Sequence, residues 1–139
     1  MMLTITCTFD PEFAEMPGVG IDPLGEIVIS GGNSEIRIND TYLDSWLAGL
    51  IDALHQLSTK TSMRVETEEP EPLYIDAYPD GRLSISYKDK RVVARGRADL
   101  ERALRVAAHC FLSEIRDEPD AARNRLIDPI RTFSLTTEN

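Results

Sequence analysis

At 139 residues, with 42% hydrophobic and 28% charged side chains, the chain has the size and composition of one soluble domain (1–139) that needs neither disulfides nor a metal to fold. A net charge of −9 argues against nucleic acid as a partner, because a polyanion is repelled. No apolar run approaches the ~20 residues of a membrane helix, and the alternating start from Met1 to Phe9 is no signal peptide. Two cysteines, Cys7 and Cys110, make no secreted disulfide framework, so a reduced, cytoplasmic setting is expected.

Met2–Phe9 reads as a strand that turns Leu3, Ile5, Cys7 and Phe9 inward and its threonines outward. Residues 10–24 carry four acids, three prolines and two glycines and read as a long surface loop. A hairpin follows, with Ile27 and Ile29 on one strand, a turn at Gly31-Gly32-Asn33, and Ile36 and Ile38 on the other.

Thr41–Ser58 is the clearest helical pattern. Leu43, Trp46, Leu47, Leu50, Ile51, Ala53, Leu54 and Leu57 gather into an arc about 160° wide. Asp44, Ser45, Ala48, Gly49, Asp52, His55 and Gln56 fall outside it, and Thr41-x-x-Asp44 has the form of a capping box.

Met63–Thr67 reads as a strand broken by the run Glu68-Glu69-Pro70-Glu71-Pro72. Leu73–Tyr78 and Arg82–Lys88 form a hairpin around Pro79-Asp80-Gly81. Its register sets Leu73, Ile75 and Ala77 opposite Tyr87, Ile85 and Leu83 on the core face. Tyr74, Asp76 and Tyr78 then oppose Ser86, Ser84 and Arg82 on the outer face. Arg91–Arg95 is one more short strand.

Ala98–Arg116 is a second amphipathic helix, with Leu100, Leu104, Ala107, Phe111 and Ile115 inward and Arg102, Arg105, His109 and Arg116 outward. Pro119 suits the start of a short third helix ending near Ile127, and residues 128–139 read as a loosely held tail that Ile130, Phe133 and Leu135 can dock. The sum is an α+β fold: a mostly antiparallel sheet built from hairpins, two amphipathic helices on one face, and a short third helix.

No catalytic, phosphate-binding or metal-binding signature is present, so no catalytic residue, metal ligand or cofactor is assigned. Gly18-Val19-Gly20 lacks the lysine and helix start of a phosphate cradle. His55 and His109 lie on polar helix sides without a nucleophile beside them, and both cysteines point inward as small apolar residues. Glu66, Glu68, Glu69 and Glu71 form the densest acidic run, whose simplest role is a charged edge that blocks stray strand pairing.

The outer hairpin face is the most site-like feature, because tyrosines give stiff, amphipathic contact area. Tyr74, Asp76 and Tyr78, with Glu66, Glu68 and Glu69 upstream, are therefore the candidate partner-binding residues. Charge is unevenly spread: −7 over residues 1–50, −3 over 51–90 and +1 over 91–139, where all nine bases are arginine. These features lead to a non-catalytic, acidic protein-binding module that engages a basic protein, in the manner of an immunity or inhibitor protein. The alternatives are a small-molecule or metal-dependent enzyme drawing on His55, Asp52 or the Glu66–Glu71 run, and a homo-oligomer, a homodimer at its simplest.

Overall fold

The computed structural model describes residues 2–10, 23–114 and 121–135. Most of the acidic 10–24 loop, with Gly18-Val19-Gly20, lies outside those residues, as do Ile115, Arg116, Pro119 and the final four positions. Period-two alternation becomes two antiparallel sheets. The first has the order β1 (Thr4–Phe9), β2 (Leu24–Gly31), β3 (Ser34–Tyr42), and the second β4 (Ser62–Val65), β5 (Leu73–Ala77), β6 (Leu83–Tyr87), β7 (Lys90–Ala94). The sheets meet where β7 runs against β2 and β3.

The β5–β6 register is the one the sequence implies, with Leu73 opposite Tyr87, Ile75 opposite Ile85 and Ala77 opposite Leu83. Gly81 supplies a φ of 94° in the turn, a conformation in which other side chains are strained. Each sheet has one apolar face. Ile5, Ile27, Ile29, Ile36 and Ile38 from the first join Met63, Val65, Leu73, Ile75, Leu83, Ile85 and Val92 from the second in one core.

Helix α1 (Leu43–Gln56) fills that core with the expected arc. Its start is built differently from a capping box. Tyr42 holds the N-cap position without a side-chain bond, and the Leu43 N–H donates to the Pro23 carbonyl at 3.0 Å. Thr41 is instead the last-but-one residue of β3, where its hydroxyl accepts the Trp46 indole N–H at 2.8 Å and donates to Glu69 at 2.6 Å. Asp44 and Ser45, outside the apolar arc, are buried as well. The chain after β4 covers this side of α1, so the helix is packed around most of its first two turns.

Helix α2 (Arg97–Glu114) packs on β1 and α1 through Leu100, Leu104, Ala107 and Phe111. Arg105 is not on its solvent side as the periodicity implied. Helix α3 (Ala121–Leu135) packs against both α1 and α2, so the Arg105 guanidinium lies 4.7 Å from the Phe133 ring centroid and donates to the Phe133 carbonyl.

The third helix is longer than the sequence pattern implied: it runs through Pro129 to Leu135 rather than ending near Ile127. Proline removes one helical hydrogen bond at a cost of about 3 kcal/mol, and burial of Ile127, Ile130 and Phe133 offsets it. Residues 128–135, read from sequence as tail, thus belong to a packed helix, although Leu135 itself is 82% exposed. Among the described residues no helix is long and apolar enough to cross a membrane.

The start of the chain is tied to α2 by one carboxylate. Asp99 is buried and accepts the Leu3 N–H at 3.2 Å and the Arg95 N–H at 3.1 Å, and it pairs with Arg102. Burial pushes its carboxyl up, but the bonds from Arg95, Leu3 and Arg102 outweigh burial and hold it below the usual carboxylate value.

Two stability predictions arise from these contacts. Trp46→Ala should cost about 3–5 kcal/mol, since the fully buried indole leaves a cavity and its hydrogen bond to the Thr41 hydroxyl is lost. Asp99→Asn should cost about 2–4 kcal/mol at neutral pH. The lowered folded-state pKa makes the carboxylate's contribution complete above the unfolded value of about 3.9 and lost as pH falls through the folded one. Urea denaturation across that acid range should show the gap between wild type and Asp99→Asn closing. A gap that stays constant there would mean that the charge of Asp99 contributes nothing.

Candidate functional site

The segment after β4 is held over α1 by specific bonds. Glu69 is half-buried, accepts the Thr41 hydroxyl, and receives a turn from Thr67, whose hydroxyl accepts the Glu69 N–H at 3.1 Å. Tyr87 lies beneath, edge-on to Trp46 at 5.7 Å between centroids. Burial raises the Tyr87 pKa, and the nearby negative charges of Glu69 and Glu71 raise it further. Of the glutamates singled out by sequence, Glu69 is therefore engaged within the fold, whereas Glu66 and Glu68 are exposed.

Glu66 and Glu68 rim an open groove between this segment and α1, whose other lining residues are Ser45, Ala48, Gly49 and Thr67. Because β4 ends at Val65, the two carboxylates do not share a strand face. The groove has room because α1 presents only small side chains along its floor. Gly49 is required by the packing: a Cβ at this position would sit 2.8 Å from Val65 Cγ1. Glu66 bonds Arg64 at 2.9 Å, but both side chains are largely exposed, so the pair is weak and exchanges readily.

The outer face of the second sheet carries the three remaining candidates. Tyr74 is 42% exposed, Asp76 is exposed and accepts the Ser62 hydroxyl at 2.6 Å, and Tyr78 is half-buried with the Arg82 guanidinium 5.1 Å from its ring centroid. Arg64 stands opposite Tyr74 on β4, and Arg91 stands opposite Ser86 on β7. Val93, 41% exposed, adds apolar surface that the sequence reading missed, although its alternation with buried Val92 and Ala94 signalled it. Arginines thus border the tyrosine face directly, and the exposed carboxylates Glu66 and Glu68 sit beyond β4, with Arg64–Glu66 as the junction.

The residues of the enzymatic alternative are not gathered. Asp52 binds the Gln56 amide at 2.7 Å, while His55 packs edge-on to Phe133 at 6.5 Å. His109 shares a hydrogen bond of 3.0 Å with Ser134 at an exposed position. Among the described residues, no group of three or more His, Cys, Asp or Glu side chains is placed to hold a metal ion. Cys7 faces inward as expected, but Cys110 is exposed, one position off the buried line of α2 that ends at Phe111.

The groove depends on Gly49, and substitution there tests how tightly. Gly49→Ala gains up to about 1 kcal/mol of helix propensity but forces a β-branched valine to give way, at about 1–3 kcal/mol. Net destabilisation is expected. In a Val65→Ala background the same substitution should become stabilising, which a double-mutant cycle by denaturation would read directly. Comparison with protein-family models, curated proteins and solved structures finds no match, so the functional reading rests on this geometry.

Proposed function

We propose that the protein is a non-catalytic binding module that engages a basic protein through the Glu66–Glu68 groove and the adjoining Tyr74 surface. The observation that carries this reading is the pairing of two exposed carboxylates with a floor of small residues, beside a tyrosine that is 42% exposed. A lysine or arginine side chain entering the groove would lay its apolar stem over Ala48 and Gly49 and bring its cation to the rim. It would displace Arg64 from Glu66 at little cost, since that ion pair is already in water.

The net charge of −9 supports the same direction by accelerating encounter with a positively charged partner. Tyr74 then acts as the anchor, and Asp76 and Tyr78, each with an internal partner, extend the surface. An immunity- or inhibitor-like role in a reducing, cytoplasmic setting fits this profile: the module would act by covering and neutralising its target without chemistry of its own.

The test is affinity capture at low salt, identification of the bound protein, and measurement of its Kd across ionic strength. Binding should weaken steeply with salt, because exposed charges lose contact beyond a Debye length of about 8 Å at 0.15 M. Tyr74→Ala should cost about 1–3 kcal/mol of binding. Joint replacement Glu66→Gln and Glu68→Gln should mainly slow association, and neither change should lower thermal stability appreciably. An acidic partner, or an affinity indifferent to salt, would sink the electrostatic basis. Self-association as the sole binding event would favour the homodimer instead.

A further inference from the structure

The chain's two cysteines lie 103 positions apart in sequence yet on elements that run side by side. At one end of this pairing, Leu3 is bonded through its main chain to Asp99 and Arg102. At the other, Phe9 stacks on Phe111 with centroids 5.5 Å apart. β1 and the first four turns of α2 are therefore in register over their length, running in the same direction. Cys7 lies one inward-facing position before Phe9, and Cys110 immediately precedes Phe111. Cys7 is half-buried and Cys110 is exposed, and both are free thiols. Burial pushes the Cys7 thiol up to about 12, and Cys110 adds to the rise.

We infer that Cys7 and Cys110 form a reversible intramolecular disulfide when the chain meets a low-molecular-weight disulfide such as oxidised glutathione, clasping β1 to α2. The inequality of the two thiols sets the order of events. Cys110, which is exposed, is the thiol that oxidised glutathione can reach, and its sulfur attacks one sulfur of oxidised glutathione. That forms a mixed disulfide and releases one glutathione. The Cys7 sulfur then attacks Cys110 Sγ, closing the protein disulfide and expelling the second glutathione. Two protein thiols are oxidised, one glutathione disulfide is reduced to two thiols, and the two protons shed by the cysteines end on the glutathiones.

Closure requires only a local approach of β1 and α2, both already packed. It differs from the binding proposal in residues and in location, so either can fail alone. The consequence is a domain whose first strand can no longer peel from its second helix, because the bridge closes about three quarters of the chain into a loop and restricts the unfolded state.

The full-length chain is incubated with oxidised glutathione at neutral pH, then read by intact mass, peptide mapping and non-reducing electrophoresis. The expected product is a monomer that has lost two hydrogens, yields a Cys7–Cys110 linked peptide, and melts several degrees higher than the reduced protein. Cys7→Ala should stop at a single glutathione adduct on Cys110, and Cys110→Ser should react slowly or not at all. If Cys7→Ala does not fold, the wild-type peptide map and Cys110→Ser still decide. A wild-type protein that retains glutathione on Cys110 without closing, or that forms dimers bridged through Cys110, overturns the inference.

Discussion

One hydrogen-bonded chain, Trp46 to Thr41 to Glu69, sets how the central helix meets the rest of the molecule. Burying an indole in an apolar core removes its N–H from water, and leaving that donor unmet would cost about 1–3 kcal/mol. Thr41 meets it from the end of β3, and the hydroxyl's own proton then needs an acceptor, which Glu69 supplies from a segment 28 residues away. The core helix, the strand that leads into it and the acidic segment after β4 are thereby fixed by one set of bonds. The groove beside Ser45, Ala48 and Gly49 has its shape because that segment cannot drift from α1.

Asp99 does a parallel service at the opposite side of the domain, gathering the start of β1, the end of β7 and the first turn of α2 onto one carboxylate. A buried carboxylate is costly unless every approach to it is a donor, and here two main-chain N–H groups and a guanidinium provide that. At the other end of α1, Arg97 reaches the Leu54 carbonyl at 3.3 Å, placing a cation where the helix dipole is negative. The helices are thus oriented by a few polar contacts, and their apolar faces supply the bulk of the burial.

Much of this was legible in the sequence. Alternation with a Pro-Asp-Gly turn placed every residue of the β5–β6 pairing, since a slip of one residue would have turned Leu73, Ile75 and Leu83 to solvent. The arc of α1 was legible for the same reason: nothing competes with eight apolar residues on one side of a helix. What was not legible needed long-range partners. Thr41 and Asp44 have the spacing of a capping box, but Thr41's hydroxyl serves Trp46 and Glu69, and local pattern carries no sign of a partner 28 residues on.

Other differences have similar causes. The β6–β7 turn at Lys88-Asp89 lacks the usual glycine or asparagine, and Lys88 takes a φ of 54° that its composition does not announce. The third helix was expected to end near Ile127, yet α3 passes through Pro129 because Ile130 and Phe133 have a surface to bury against. The candidate site was legible as a list of residues but not as an arrangement. Strand alternation showed that Tyr74 faces outward, whereas only the fold distinguishes Glu69, bonded to Thr41, from Glu66 and Glu68, which are exposed.

That distinction decides how function and folding are divided on this surface. Residues that build the groove, namely Thr41, Gly49, Val65 and Glu69, are buried, half-buried or tightly opposed, and changes there act first on stability. Residues that would meet a partner, Glu66, Glu68 and Tyr74, are exposed, and their replacement should leave the fold intact. Small side chains on one stripe of α1 serve both ends: they let the helix approach β4, and they leave room above it. A larger residue at Ala48 would fill the groove from the solvent side without touching Val65, whereas one at Gly49 would press on the core. The two positions are neighbours in sequence, and the close approach of one helix to one strand is what separates a surface that can adapt to a partner from a contact that must be kept.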